Sequence, residues 1–172
     1  FLTWLEVSQV ARKYSKVALS GDGGDELFGG YNWYPGVHIP GQSLRRQLNR
    51  LRASSLDREM DRFAHRSLLH RHLMNVFPRF LPSELPVILG TGSASEWESQ
   101  ILEYLRDRFS NTMPMRTALQ RMDLLTFCSN HICAKTDQMS MGCSLEIRAP
   151  LLDQRLIDWA FTHTQVPKSG EV

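Results

Sequence analysis

Apolar residues recur at helical intervals along most of the chain, and one short stretch departs from that rhythm. Between Phe1 and Tyr14, Leu2, Leu5, Val7, Val10 and Ala11 share one side at three- and four-residue spacing, which predicts an amphipathic helix. Val17, Ala18 and Leu19 then form a continuous apolar run ending in a glycine-rich turn, the pattern of a buried parallel strand. Asp25 is placed to cap a helix through Leu27 and Phe28, closed by Pro35 and Gly36. Ser43 to Phe77 reads as helical, and Pro78, Pro82, Pro86 and the stretch Gly90 to Ser93 read as a loop. Ser93 or Ser95 can cap a helix from Glu96 to Phe109, with Arg106 and Arg108 in its last turn. Pro114 opens an apolar-rich segment, Met115 to about Met141, that reads as a buried helix; Leu151 to Thr164 reads as one more amphipathic helix. A lone buried strand cannot satisfy both ladder edges. The pattern therefore predicts an α/β sheet whose other strands either hide in segments read as helical or, the favoured reading, lie outside these residues.

Composition narrows the class. At 172 residues and 19.8 kDa, with 42% hydrophobic and 22% charged residues, the chain suits one domain with a sizeable core and is not disordered. No apolar run nears the ~20 residues of a membrane span, and Phe1 to Val10 contains Glu6 without a basic flank, so a cytoplasmic protein without a membrane partner is expected. A net charge of +2 is too balanced for a dedicated nucleic-acid binder. Eight arginines between Arg45 and Arg71 stand against Asp57, Glu59 and Asp61. The four-residue recurrence of Arg58, Arg62 and Arg66 favours a solvated helix face over an RNA or DNA footprint, although an arginine-rich binding or scaffold module stays open as an alternative. Cys128, Cys133 and Cys143 form no CxxC pair and suit reduced core thiols rather than disulfides or zinc.

The turn after the strand carries the chemistry. Ser20 to Tyr31, SGDGGDELFGGY, matches neither GxGxxG nor GxxxxGK[ST] and sets Asp22, Asp25 and Glu26 among glycines. Glycines let a ligand approach the backbone, yet three acids repel a phosphate unless a divalent cation lies between. Magnesium suits that role, taking one or two carboxylates with phosphate oxygens and water. The competing reading has Asp25 capping a helix and Asp22 stabilising the turn. In the last third, Lys135, Asp137, Glu146, Arg148 and Asp153 stand in a mostly apolar setting, and Glu146, Arg148 and Asp153 are expected to form a buried ion-pair network.

The glycine-acid segment, the K-x-D-x-x-S-M run from Lys135 to Met141, and S-L-E-x-R-x-P-x-L-D from Ser144 to Asp153 together resemble the synthetase domain of the asparagine synthase family. The likeness is anchored at Phe1 to Tyr34 and Asp123 to about Val166; the arginine-rich middle matches only as a helical spacer. It implies an adenine-nucleotide α-hydrolase-like, doubly wound parallel sheet, of which residues 1–172 are a largely helical C-terminal portion. It also implies an AMP-forming carbon–nitrogen ligase. ATP with Mg2+ activates aspartate as an aspartyl adenylate, and ammonia from a glutaminase domain attacks it to give asparagine. Carried over by position, Ser20, Gly21, Asp22 and Gly23 lie against the nucleotide, and Asp22 is a candidate general base. Asp25 is the metal ligand, Glu26 and Tyr31 support the loop, and Lys135 and Asp137 line the site, with Lys135 countering developing charge. A homodimer is left open.

Three departures qualify this. The family's SGGxDS pyrophosphate loop and the glutaminase with its N-terminal cysteine are not among the 172 residues; the expectation is a C-terminal fragment, inactive alone. A further family lysine downstream of the PxLD element is expected to lie beyond Val172. Asn130 and His131 stand where many members carry acids, and a helix-packed His131 is the expectation over a catalytic one. The same motifs suit an amidotransferase or β-lactam synthetase-like enzyme acting on another acceptor.

Overall fold

The computed structural model describes residues 2–34, 67–76 and 80–163. The chain divides into two compact units, Phe1–Gly36 with Asn111–Val172, and Val37–Ser110.

The first unit is built on two parallel strands. β1 (Val17–Leu19) pairs with β2 (Glu146–Arg148) in the register Val17↔Glu146, Ala18↔Ile147, Leu19↔Arg148. Ser20 N–H to the Arg148 carbonyl (2.9 Å) and Glu146 N–H to the Lys16 carbonyl (2.9 Å) extend the ladder at both ends. Sequence reasoning expected one strand; β2 was missed because its three residues alternate charge with a single isoleucine. Nor is β1 buried as expected among the described residues, since Leu19 is 72% exposed.

α1 (Leu2–Arg12) packs on α7 (Ala134–Met141) through Leu5, which lies beside Gly142, and the buried Ser8. Periodicity found this helix but not its covered face: Leu2, Val7 and Val10 are exposed. α2 (Gly24–Phe28) follows the glycine turn and is shorter than predicted, closing at Gly29 in a left-handed conformation rather than at Pro35. α6 (Met115–Asp123) runs directly into a π-helix (Leu124–Cys133) and on into α7, so the predicted helix from Met115 to Met141 is continuous, with its middle turns widened. Thr126 and Ser129 donate hydroxyl hydrogen bonds to the Met122 (2.8 Å) and Leu125 (2.9 Å) carbonyls there, taking up acceptors in the wider turns. After β2, a 3-10 turn (Pro150–Leu152) precedes α8 (Gln154–His163), which splits the single helix predicted from Leu151. Leu27, Leu119, Met122, Leu145 and Ala160 form the core of this unit.

The second unit holds α3 (Leu68–Val76), α4 (Leu85–Leu89) and α5 (Ala94–Arg106). Ser93, one of the two caps expected, caps α5 in a reciprocal box with Glu96, so the helix begins at Ala94 and not at Glu96; α4 forms where a proline-rich loop was expected, because Pro86 sits in its first turn, where a missing N–H costs nothing. The imidazole of His70 joins α3 to α5, its Nε2 lying 3.0 Å from Glu98 Oε1. Of the arginine cluster, Arg71 lies exposed on α3, while the arginines from Arg45 to Arg66 fall outside the described residues. No described helix is long and apolar enough to cross a membrane.

Candidate active site

The glycine turn sits at the carboxyl end of β1, and strand pairing brings the two separated motifs together there. Gly23 takes φ 90° as the cap of α2, a left-handed conformation that favours glycine, and a Cβ at this position would overlap the Leu152 side chain. One residue on, a Cβ at Gly24 would stand 3.1 Å from Leu151 Cδ1. The 3-10 turn of the second motif therefore packs directly on the backbone of the first.

The acids of this segment divide into two environments. Ser20 Oγ donates to Asp22 Oδ2 at 3.1 Å, holding the half-buried Asp22 over the turn. Asp25 is exposed, and its carboxylate lies over Gly30, where a Cβ would collide with Oδ1. Its predicted capping role is not observed: Gly23 occupies the cap, and Asp25 stands in the first helical turn, where a negative charge is favoured. Glu26 is 1% exposed and accepts a 2.9 Å hydrogen bond from the Tyr31 hydroxyl. Burial raises its carboxyl above the ordinary value, opposed by hydrogen bonds from its own backbone and Tyr31. Burial and the Glu26 charge push the Tyr31 hydroxyl well above its usual range.

Three polar residues of α6 moor this segment, and sequence reasoning passed over all of them. Arg116 Nη2 donates to the Gly29 carbonyl (2.9 Å), and Gln120 Nε2 to the Glu26 (2.9 Å) and Leu27 (3.1 Å) carbonyls at the end of α2. Asp123 Oδ2 accepts from Tyr34 Oη (2.8 Å) and Trp33 Nε1 (3.2 Å). Burial and the Asp123 charge raise the Tyr34 hydroxyl far above its usual range. Gln120 and Asp123 are 5% and 1% exposed. The signal was available: polar residues at i, i+4 and i+7 within an apolar-rich helix share a face. Aromatic packing completes the mooring, with Tyr31 and Trp33 stacked at 4.1 Å and both edge-on to Phe127 of the π-helix. His131, exposed on the π-helix, stacks on Phe127.

Lys135 stands in the first turn of α7 with Nζ 5.4 Å from the Trp4 ring centroid, a cation over an aromatic face supplied by α1. Asp137 is exposed on the same helix, and Thr136 Oγ1 between them is buried without a hydrogen-bond partner among the described residues. The expected buried ion-pair network is overturned. Glu146 and Arg148 pair at 2.8 Å with side chains 53% and 66% exposed, and Asp153 pairs with Arg155 at 3.1 Å on the surface. Residues two apart on a strand share a face, and this one is open. Among the described residues no three His, Cys, Asp or Glu side chains converge as a metal cage.

The asparagine synthase family matches residues 1–166. The chain is 30% identical over 177 residues to Bacillus subtilis asparagine synthetase (glutamine-hydrolysing) 1, covering 90% of this chain and 26% of that protein. It is 27% identical over 149 residues to asparagine synthetase 3 of the same organism, covering 84% and 20%. A Mycobacterium tuberculosis protein provisionally named asparagine synthetase (glutamine-hydrolysing) is 32% identical over 162 residues, covering 86% and 24%. The chain thus spans about a quarter or less of the length of these curated relatives. No solved structure matches.

Proposed function

The chain belongs to the asparagine synthase family, and on that premise we propose that its glycine turn is part of an adenylating centre that converts aspartate to asparagine with ATP. The observation that carries this reading is the packing of Leu151 and Leu152 on Gly24 and Gly23, at the carboxyl end of a parallel strand. Crevices outside the carboxyl ends of parallel strands are where open α/β sheets hold their ligands.

In this reading Ser20, Gly21, Asp22 and Gly23 lie along the nucleotide. Gly21 has no atom within 4 Å of where a Cβ would stand, so a ligand can reach its backbone. Asp22, oriented by the Ser20 hydroxyl, takes the proton from the attacking ammonia as the amide bond forms. Asp25, exposed in the first turn of α2, is the carboxylate that would hold magnesium. The absence of a three-donor cage fits that ion, which keeps one or two protein carboxylates and completes its shell with phosphate oxygens and water. When bound, magnesium would offset negative charge on the phosphates. Lys135, held against Trp4, would counter charge that grows on phosphate as pyrophosphate leaves, or on the adenylate as ammonia attacks and AMP leaves, and Asp137 would line the approach.

The test is aspartate-dependent pyrophosphate release by the whole protein that carries this chain. Asp22→Asn and Asp25→Asn are each expected to abolish it, and unchanged release in Asp25→Asn would remove the proposed metal role. Residues 1–172 alone, which contain no SGGxDS loop, are expected to release none. An aspartate-independent release stimulated by a different carboxylic acid would favour the amidotransferase or β-lactam synthetase-like reading.

A further inference from the structure

The π-helix brings together two side chains that an α-helix would keep apart. Cys128 and Cys133 are five residues apart, which on an α-helix leaves them about 140° apart around the axis. In the widened helix from Leu124 to Cys133 their sulfurs lie 3.8 Å apart, in van der Waals contact. Both thiols are free, with Cys128 1% exposed and Cys133 partly accessible. The third cysteine, Cys143, is set apart and faces the Leu5 carbonyl at 3.8 Å.

We propose that Cys128 and Cys133 form an oxidation site in which a peroxide converts the reduced pair to an intrahelical disulfide. Accessibility assigns the order of attack. The Cys133 thiolate displaces water from hydrogen peroxide and becomes a sulfenic acid; Cys128 then attacks that sulfur and expels a second water. Two thiols and one peroxide thus give one disulfide and two waters, with two electrons passing to the peroxide. Bond formation requires the sulfurs to close by about 1.8 Å. Rotation about both side chains supplies part of this, and tightening of the π-turn the rest.

The negative charges of Glu26 and Asp22 act on both thiols, and Cys133 stands two residues before Lys135. Burial, with those acids, raises both thiols, so reaction is slow at neutral pH and faster in mild alkali. The proposal stands on geometry and does not depend on the catalytic reading.

The experiment treats the reduced protein with hydrogen peroxide in mild alkali, alkylates the remaining thiols and digests with trypsin. Both cysteines fall in one peptide, Met122–Lys135. The expected result is that this peptide loses two hydrogens and both alkylation sites, reversibly with dithiothreitol, while Cys143 stays alkylatable. Cys128→Ser is expected to leave a sulfenic acid at Cys133 that dimedone captures. As a second measurement on the unmutated protein, phenylarsine oxide is expected to bind one equivalent and protect both thiols. A disulfide involving Cys143, over-oxidation of Cys133 without a disulfide, or arsenical binding that leaves either thiol of the pair alkylatable would each overturn the proposal.

Discussion

The segment from Ser20 to Tyr34 has two sides of opposite character. Its second half is tied down: Glu26, Leu27, Gly29, Trp33 and Tyr34 all receive or send hydrogen bonds to one face of α6. Its first half is open: among the described residues Asp22 is held by Ser20, Asp25 is exposed, and no atom stands within 4 Å of where a Gly21 Cβ would lie. The difference teaches how a loop with several like charges is kept in one shape without occupying the groups that face a ligand. Rigidity is supplied from beneath by a buried amide, a buried carboxylate and a half-buried guanidinium, which leaves the outer acids available for chemistry.

Substitutions on the two sides should therefore fail differently. The largest effect is on the open side: Asp22→Asn or Asp25→Asn should lower aspartate-dependent pyrophosphate release by about 100- to 10,000-fold in the whole protein, while the urea midpoint stays in place. A matching loss of stability would erase the distinction between the sides. On the moored side, Asp123→Ala leaves the Tyr34 hydroxyl and the Trp33 indole N–H without this acceptor. It should cost about 2 to 4 kcal/mol in urea unfolding, and a cost below about 1 kcal/mol would show that α6 is not the anchor.

At the boundary, Gly23→Ala combines left-handed strain with the overlap against Leu152, for a loss of about 2 kcal/mol. Adding Leu152→Ala should recover the overlap but not the strain, and additive losses in the double-mutant cycle would argue against the contact.

A smaller effect is pH-dependent. Burial raises the Glu26 carboxyl, so the folded state favours its protonated form. That contribution is full below the unfolded carboxyl's ordinary value of 4.5 and is lost as pH rises through the folded one. Glu26→Gln should therefore gain stability relative to the unmutated protein as pH rises from acid to neutral, and a pH-independent difference would refute the burial argument. Smallest of all, Gly21→Ala should change stability by no more than about 0.5 kcal/mol, since open space surrounds it, while weakening ATP binding measured by calorimetry.

Much of this was legible because it is local. Helical spacing marked α1, Ser93 and Glu96 announced the start of α5, and the apolar run Val17–Leu19 followed by glycines located β1 and the turn. The charges of Asp22 and Asp25 among glycines pointed to a cation-assisted anion site. Legibility ended where partners are distant in sequence. β2 has three residues and no alternation strong enough to stand out, so only its pairing with β1 defines it. The charged residues Glu146, Arg148 and Asp153 looked buried because their neighbours in sequence are apolar, whereas burial depends on what packs against each face.

By itself, then, the sequence determined the family, the glycine-acid turn and most helices, since these depend on residue identity and short-range spacing. Tertiary structure alone decided that Leu151 and Leu152 seat on Gly24 and Gly23, that Arg116, Gln120 and Asp123 hold the turn from below, and that a π-helix sets Cys128 against Cys133. Each of these joins groups whose proximity arises from packing geometry. A hydrogen bond or van der Waals contact gains energy only within a few ångströms, and for residues far apart along the chain that distance is set by how the elements pack.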